Sequence, residues 1–244
     1  MGELVTLGEV MAVTRVSGIG TPSPGAAATL SYAGAEATVA IGVARLGHRA
    51  TWLGRLGQDA AADMILTSMR GEGVDVSHTV RDGERPTGYR ALLWPSEQAG
   101  EVLRRLVGRA QVVFAGLEEA RLVTNGVPAA QADEDDPGVL ARLLLDLGPR
   151  EVVIKLGREG AYVTDGNTAL RVPAREVSEI DPVGAGDAFV AGYLSGRLDG
   201  LDLAGRAGRA VTCGAFAVST WGDWEGLPRR RELNLLAAGD GVAR

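Results

Sequence analysis

The stretch Asp181-Pro182-Val183-Gly184-Ala185-Gly186-Asp187-Ala188-Phe189 puts three residues with little or no side chain at the entrance of a helix whose first turn carries a carboxylate. The small-residue pattern from Ala185 to about Leu198 is helical. Such an entrance attracts anions, because unpaired N–H groups and the positive end of the helix dipole face the incoming group and glycine leaves room for it. A carboxylate beside an anion costs electrostatic energy unless it has work to do. For Asp187 that work is to take a proton from a hydroxyl attacking phosphorus. The other reading is an acidic residue that only complements the dipole, and spacing alone does not separate the two.

Outward from this stretch the chain alternates apolar strand patterns with helical ones, as α/β proteins do. Strands are expected at Leu4–Leu7, Arg49–Leu53, Gln111–Phe114 and Glu151–Leu156, with an extended stretch from Val74 to Val80. Helices are expected at Ala35–Leu46, from Asp59 to about Arg70, at Ser96–Val107, from Leu117, from Asp136-Pro137 and at Leu203–Ser219. Ala161–Thr164 and Ala169–Val172 flank Asp165-Gly166-Asn167, a hairpin signal. No internal repeat and no linker divides the 244 residues, which are read as one domain.

Composition narrows the function. The 25 basic and 31 acidic residues leave a net charge of −6, which argues against a sequence-independent grip on nucleic acid or an anionic membrane and for a small-molecule partner. No apolar run reaches transmembrane length and the N-terminus lacks a basic leader, so a cytoplasmic protein is expected. A single cysteine, Cys213 in AVTCGAFAV, excludes an intramolecular disulfide and reads as a buried small hydrophobe. With only His48 and His78 besides, no zinc-ligand cluster is present. No GxxxxGK[ST] occurs, Phe189 stands where the dinucleotide fingerprint needs its third glycine, and no GxSxG occurs.

Several ordered motifs together resemble the ribokinase (PfkB) family of carbohydrate kinases. DPVGAGDAF is similar to the family's C-terminal signature, and AGAEATVAIGVARLGHRATWLGRLGQD, from Ala33, to its N-terminal one. The resemblance implies a three-layer α/β/α fold with a mostly parallel central sheet and a small β lid, its elements near residues 13–32 and 74–89. It implies that Gly184, Ala185 and Gly186 form the anion hole for the transferred phosphate, that Asp187 is the catalytic base, and that Gly34 lies against the sugar. KLGREG resembles the family's nucleotide-binding strand and turn, which gives Lys155, Gly157 and Gly160, with Gly184 and Gly186, to ATP. Glu119 in FAGLEEARL matches a glutamate that organises Mg2+ through water.

Within the family, YAGAEA, Pro182 and GDWEGLPRRREL are most similar to the kinases of 2-keto-3-deoxygluconate, a sugar acid of Entner–Doudoroff-type catabolism. A fructokinase- or ribokinase-type activity is the alternative. Arg90 in YRALLW resembles that branch's carboxylate-binding arginine, a role suited to a bidentate guanidinium, or is a surface residue; Tyr89 contacts the ligand or packs. Thr38 replaces the signature asparagine and Gly116 the usual Asn or Ser. Lids of this family often pair their edge strands, which would give a homo-oligomer.

The resemblance also exposes a gap between Gly88 and Tyr89, where RDGERPTG runs directly into YRALLW. About two strand–helix units, on the order of 60 residues, are missing there. A catalytically impaired, ATP-binding remnant is therefore a further alternative.

Overall fold

The computed structural model describes residues 2–16, 21, 23–83, 96–125 and 136–236. Strand β1 (Glu3–Leu7) leads to β2 (Met11–Val16), β3 (Ala28–Ala33), helix α1 (Ala35–Arg45), β4 (Arg49–Leu53), β5 (Arg55–Gly57), α2 (Ala60–Gly71), β6 (Val74–Asp75) and β7 (Val80–Asp82). Then follow α3 (Ser96–Val107), β8 (Val112–Gly116), α4 (Leu117–Thr124), α5 (Pro137–Asp146), β9 (Glu151–Lys155), β10 (Ala161–Thr164), β11 (Ala169–Val172), α6 (Ala185–Leu198) and α7 (Leu203–Val218).

Local chemistry sets many of these bounds. Asp59, Asp136 and Asp202 each accept a first-turn backbone N–H at the starts of α2, α5 and α7, and such a cap is worth about 1 kcal/mol. Pro137 sits at the first helical position of α5, where its missing N–H costs nothing. The extended stretch expected from Val74 to Val80 is broken, because the Asp75 carboxylate accepts the Ser77 N–H at 2.8 Å and turns the chain. Val74–Asp75 joins β4, whereas Val80–Asp82 pairs with β5.

Strands β1, β4 and β6 form a parallel sheet in which Glu3 lies opposite Arg49 and Leu7 opposite Leu53. A second sheet runs β11-β10-β9-β8, with β8 and β9 parallel and the other pairs antiparallel. A separate antiparallel ribbon joins β2 to β3. Among the described residues no strand pair links the two larger sheets, so β1 and β8 each keep an open edge.

Helices supply the link. α1 packs on α6 and α6 on α7, with backbones close enough that a Cβ on Gly42 would lie 2.6 Å from Ala191, and one on Gly192 2.8 Å from the Cys213 sulfur. Ile41, Trp52, Ile65 and Met69 anchor one core; Leu140, Leu144 and Ile154 a second; Val153, Tyr193 and Val211 a third. Cys213 lies within the first, as the sequence implied. The close packing of α1 on α6 brings the N-termini of two helices to one place, and the candidate site lies there.

Candidate active site

Gly184 is the N-cap of α6 and has φ +74, a left-handed conformation that glycine adopts without strain. A Cβ there would collide with the carbonyl oxygen of Asp223, so glycine is required by space as well. Ala185 and Gly186 open the helix and Asp187 stands in its first turn. Burial, then the neighbouring Asp223 carboxylate, push the Asp187 pKa up to about 6, against the opposing pull of Lys155. A buried carboxyl with its pKa raised toward neutrality has the acidity that general-base chemistry calls for.

Beside Gly186 the structure opens into a cavity of about 810 Å³, within the range of a nucleotide-sized ligand. Lys155, Gly157, Gly160, Ala185 and Gly186 all line it, and α7 closes one wall with Gly214 and Ala215. A Cβ on Gly186 would lie 3.3 Å from the Lys155 ammonium, so the cation faces the helix entrance. Gly157 and Gly160 have φ of +57 and +96, and a side chain on Gly160 would strike the Val172 carbonyl. The KLGREG turn thus needs glycine at these points to return β9 into β10. The Glu119 carboxylate accepts the Gly116 N–H at 2.7 Å and lies 4.0 Å from Lys155, largely exposed.

Gly34 is the N-cap of α1, and a Cβ there would collide with the Glu9 carbonyl. Its N–H donates to the Asp223 carboxylate at 3.0 Å. Asp223 is itself buried, 9% exposed, and burial raises its pKa although the Gly34 N–H opposes the shift. Asp223 therefore touches both glycine caps, Gly34 through its side chain and Gly184 through its backbone. Glu36, in the first turn of α1, adds a further acidic influence on Asp187.

The structure accordingly gathers Gly34, Lys155, Gly157, Gly160, Gly184, Ala185, Gly186 and Asp187, with Glu119 at the rim. Tyr89 and Arg90 lie outside the described residues. Sequence reasoning overlooked Asp223, although GDWEG offered a signal: an acidic residue pinned between a glycine and a tryptophan. Among the described residues no group of three or more His, Cys, Asp or Glu side chains is placed to hold a metal ion. No helix of the described residues is long and apolar enough to cross a membrane.

Comparison with known proteins identifies what this arrangement belongs to. The sequence model of the pfkB family carbohydrate kinases matches residues 1–94 and 88–230. The chain is 29% identical to the 2-dehydro-3-deoxygluconokinase of Bacillus subtilis, over 95% of this chain and 94% of the relative. It is 27% identical to the enzyme of the same name from Thermoproteus tenax, over 97% and 94%. The crystal structure of a PfkB protein from Polaromonas sp. JS666 superposes with a TM-score of 0.79 at 29% identity, covering 95% of this chain and 99% of that one. The two sequence alignments run to 313 and 311 positions against 244 residues, so at least 67 positions of either relative have no counterpart here. The two family matches meet at residues 88–94, where the sequence placed the gap. With the family's sequence covering almost all of the molecule and its fold reproduced, the chain belongs to the pfkB family of carbohydrate kinases.

Proposed function

We propose that the chain transfers the γ-phosphoryl group of ATP to the primary hydroxyl of 2-keto-3-deoxygluconate. The observation that carries this reading is Asp187: a buried carboxyl of raised pKa in the first turn of α6, next to Gly186 of the cavity that Lys155 also lines, and under the influence of Asp223, which accepts the Gly34 N–H. The names of the Bacillus and Thermoproteus relatives support the sugar-acid substrate.

In this mechanism ATP fills the cavity lined by the KLGREG turn and α7, and its γ-phosphate meets the first-turn amides of α6. Those amides and the Lys155 ammonium are already in place to stabilise the charge that develops on the transferred group. Asp187 accepts the proton of the attacking hydroxyl. Asp223 holds the Gly34 amide and its backbone fixes Gly184, so the acceptor side and the phosphate side keep one spacing. The β2–β3 ribbon serves as the lid over the acceptor. The exposed Glu119 carboxylate beside Lys155 would hold a magnesium ion through water, without direct coordination by the protein. The ion supplies neutralisation of phosphate charge.

The missing positions favour one competing reading, a protein that binds ATP but transfers nothing. Release of ADP by the purified chain with ATP, Mg2+ and 2-keto-3-deoxygluconate, set beside gluconate, fructose and ribose, separates the two. Preferential turnover of the keto-deoxy acid is expected. Faster turnover of fructose or ribose would move the chain to another branch, and ATP binding without turnover of any acceptor would establish the remnant.

A further inference from the structure

We propose, resting on the kinase reading above, that Arg45 is a positioning residue for the transfer centre and acts through the loop from Ser219 to Leu227. Arg45 stands in the last turn of α1, at the opposite end of that helix from Gly34. Eleven residues at 1.5 Å each put it about 16 Å from the site, so it touches neither nucleotide nor acceptor.

Its guanidinium is nonetheless fully engaged. Nε and one terminal nitrogen bind both oxygens of Glu72, at 2.8 and 3.0 Å. The other terminal nitrogen donates to the carbonyl oxygens of Trp224, Glu225 and Leu227, at 3.2, 3.2 and 2.7 Å. The guanidinium carbon lies 5.4 Å from the centre of the Trp224 ring, within cation–π range. The side chain is only 9% exposed. Three carbonyls, a carboxylate and an aromatic face thus converge on one side chain, and all but the carboxylate belong to the loop.

That same loop reaches the centre with its other residues. Asp223 accepts the Gly34 N–H and abuts Gly184. Gly222 donates its N–H to Asp181, at the head of the signature stretch, at 3.1 Å. Glu225 accepts from the Ser31 hydroxyl at 2.6 Å, and Trp224 stacks on Tyr32 with centroids 4.9 Å apart, so strand β3 is tied in as well. Arg45 clamps the loop immediately after Asp223. A displacement of about 1 Å at a reacting centre can cost on the order of 10²-fold in rate, even when its cause is remote. The planar guanidinium offers five N–H donors to the carboxylate and the carbonyls at once, whereas an ammonium has three and no fixed plane.

The test uses Arg45→Lys, which keeps the charge, beside Arg45→Ala. Three quantities are read on the folded protein: kcat and KM with each substrate, ATP affinity by calorimetry, and hydrogen exchange at the Gly34 amide and in 219–227. For Arg45→Lys the expected result is a fall in kcat of about tenfold or more, ATP affinity within about twofold of wild type, and faster exchange at Gly34. Arg45→Ala is expected to show the same pattern, larger. A lowered Tm with unchanged kcat per folded molecule and unchanged Gly34 exchange would overturn the proposal and leave Arg45 a fold-stabilising residue only. If the wild type transfers phosphate to no acceptor, the kinase reading fails by itself, and unchanged or accelerated exchange at Gly34 still decides whether Arg45 holds the loop.

Discussion

Asp187 carries opposite consequences for activity and for stability. Its pKa in the fold, about 6, lies above the ordinary value of 3.8 because burial and Asp223 disfavour the charge. As a base it must be ionised, so kcat/KM is expected to rise with pH through about 6 and to level off above. For stability the sign is reversed. Below about pH 3 the carboxyl is protonated in both folded and unfolded chains and contributes nothing; from about 3 to 6 the fold binds the proton more tightly, so stability falls as pH rises. A rise from 3.8 to about 6 corresponds to no more than about 3 kcal/mol at pH 8. Asp187→Asn is therefore expected to lose about 10²- to 10⁴-fold in kcat. The same variant is expected to be more stable than wild type at pH 8 and close to it at about pH 3 in urea unfolding. Near-normal turnover by this variant would remove Asp187 from the mechanism.

At the scale of elements, the turn between β9 and β10 separates two kinds of glycine. Gly157 has positive φ with open space around it, whereas Gly160 has positive φ and a carbonyl in the way. Gly157→Ala is expected to cost about 1 kcal/mol, the ordinary penalty of a left-handed Cβ. Gly160→Ala is expected to cost at least twice that and to raise the KM for ATP, since the hairpin must shift where it lines the cavity. Equal effects in denaturant titrations would contradict this. The turn was legible in the sequence because its constraint is local. So were α2, α5 and α7, whose Asp caps precede apolar runs, and α6, whose signature sits at its own N-terminus. The break at Asp75 was not, because Val74, Val76 and Val80 spaced among polar residues read as a half-buried strand and outweighed the capacity of Asp75 to capture the amide two residues on. Asp223 was missed for a different reason: its partner Gly34 is 189 residues away, and the two meet only through tertiary packing, in which the loop after α7 lies against α1 and β3. Tyr89 and Arg90 rest on the resemblance alone.

For the whole molecule, the decisive feature is the edge of β1, which no strand among the described residues covers. Strands of parallel sheets are ordinarily covered on both faces, yet Val5 is 56% and Leu7 74% exposed. On the second sheet β8 is likewise unpaired on one side among the described residues. The relatives have at least 67 further positions, and the break falls between these two sheets in the chain. The exposed side chains are therefore read as the seam left by the missing units. At the seam, Leu7→Ala in this chain is expected to change the unfolding free energy by less than about 0.5 kcal/mol, as at any exposed position. In a chimera carrying the Bacillus relative's intervening segment between Gly88 and Tyr89, the same substitution is expected to cost about 2 to 5 kcal/mol, as for a buried leucine. The chimera is also expected to bind less of a hydrophobic dye, because the segment covers β1. A cost of several kcal/mol in the 244-residue chain itself would show that something already covers Leu7. The seam would then be closed, and the short chain would have rebuilt its sheet without the lost strands.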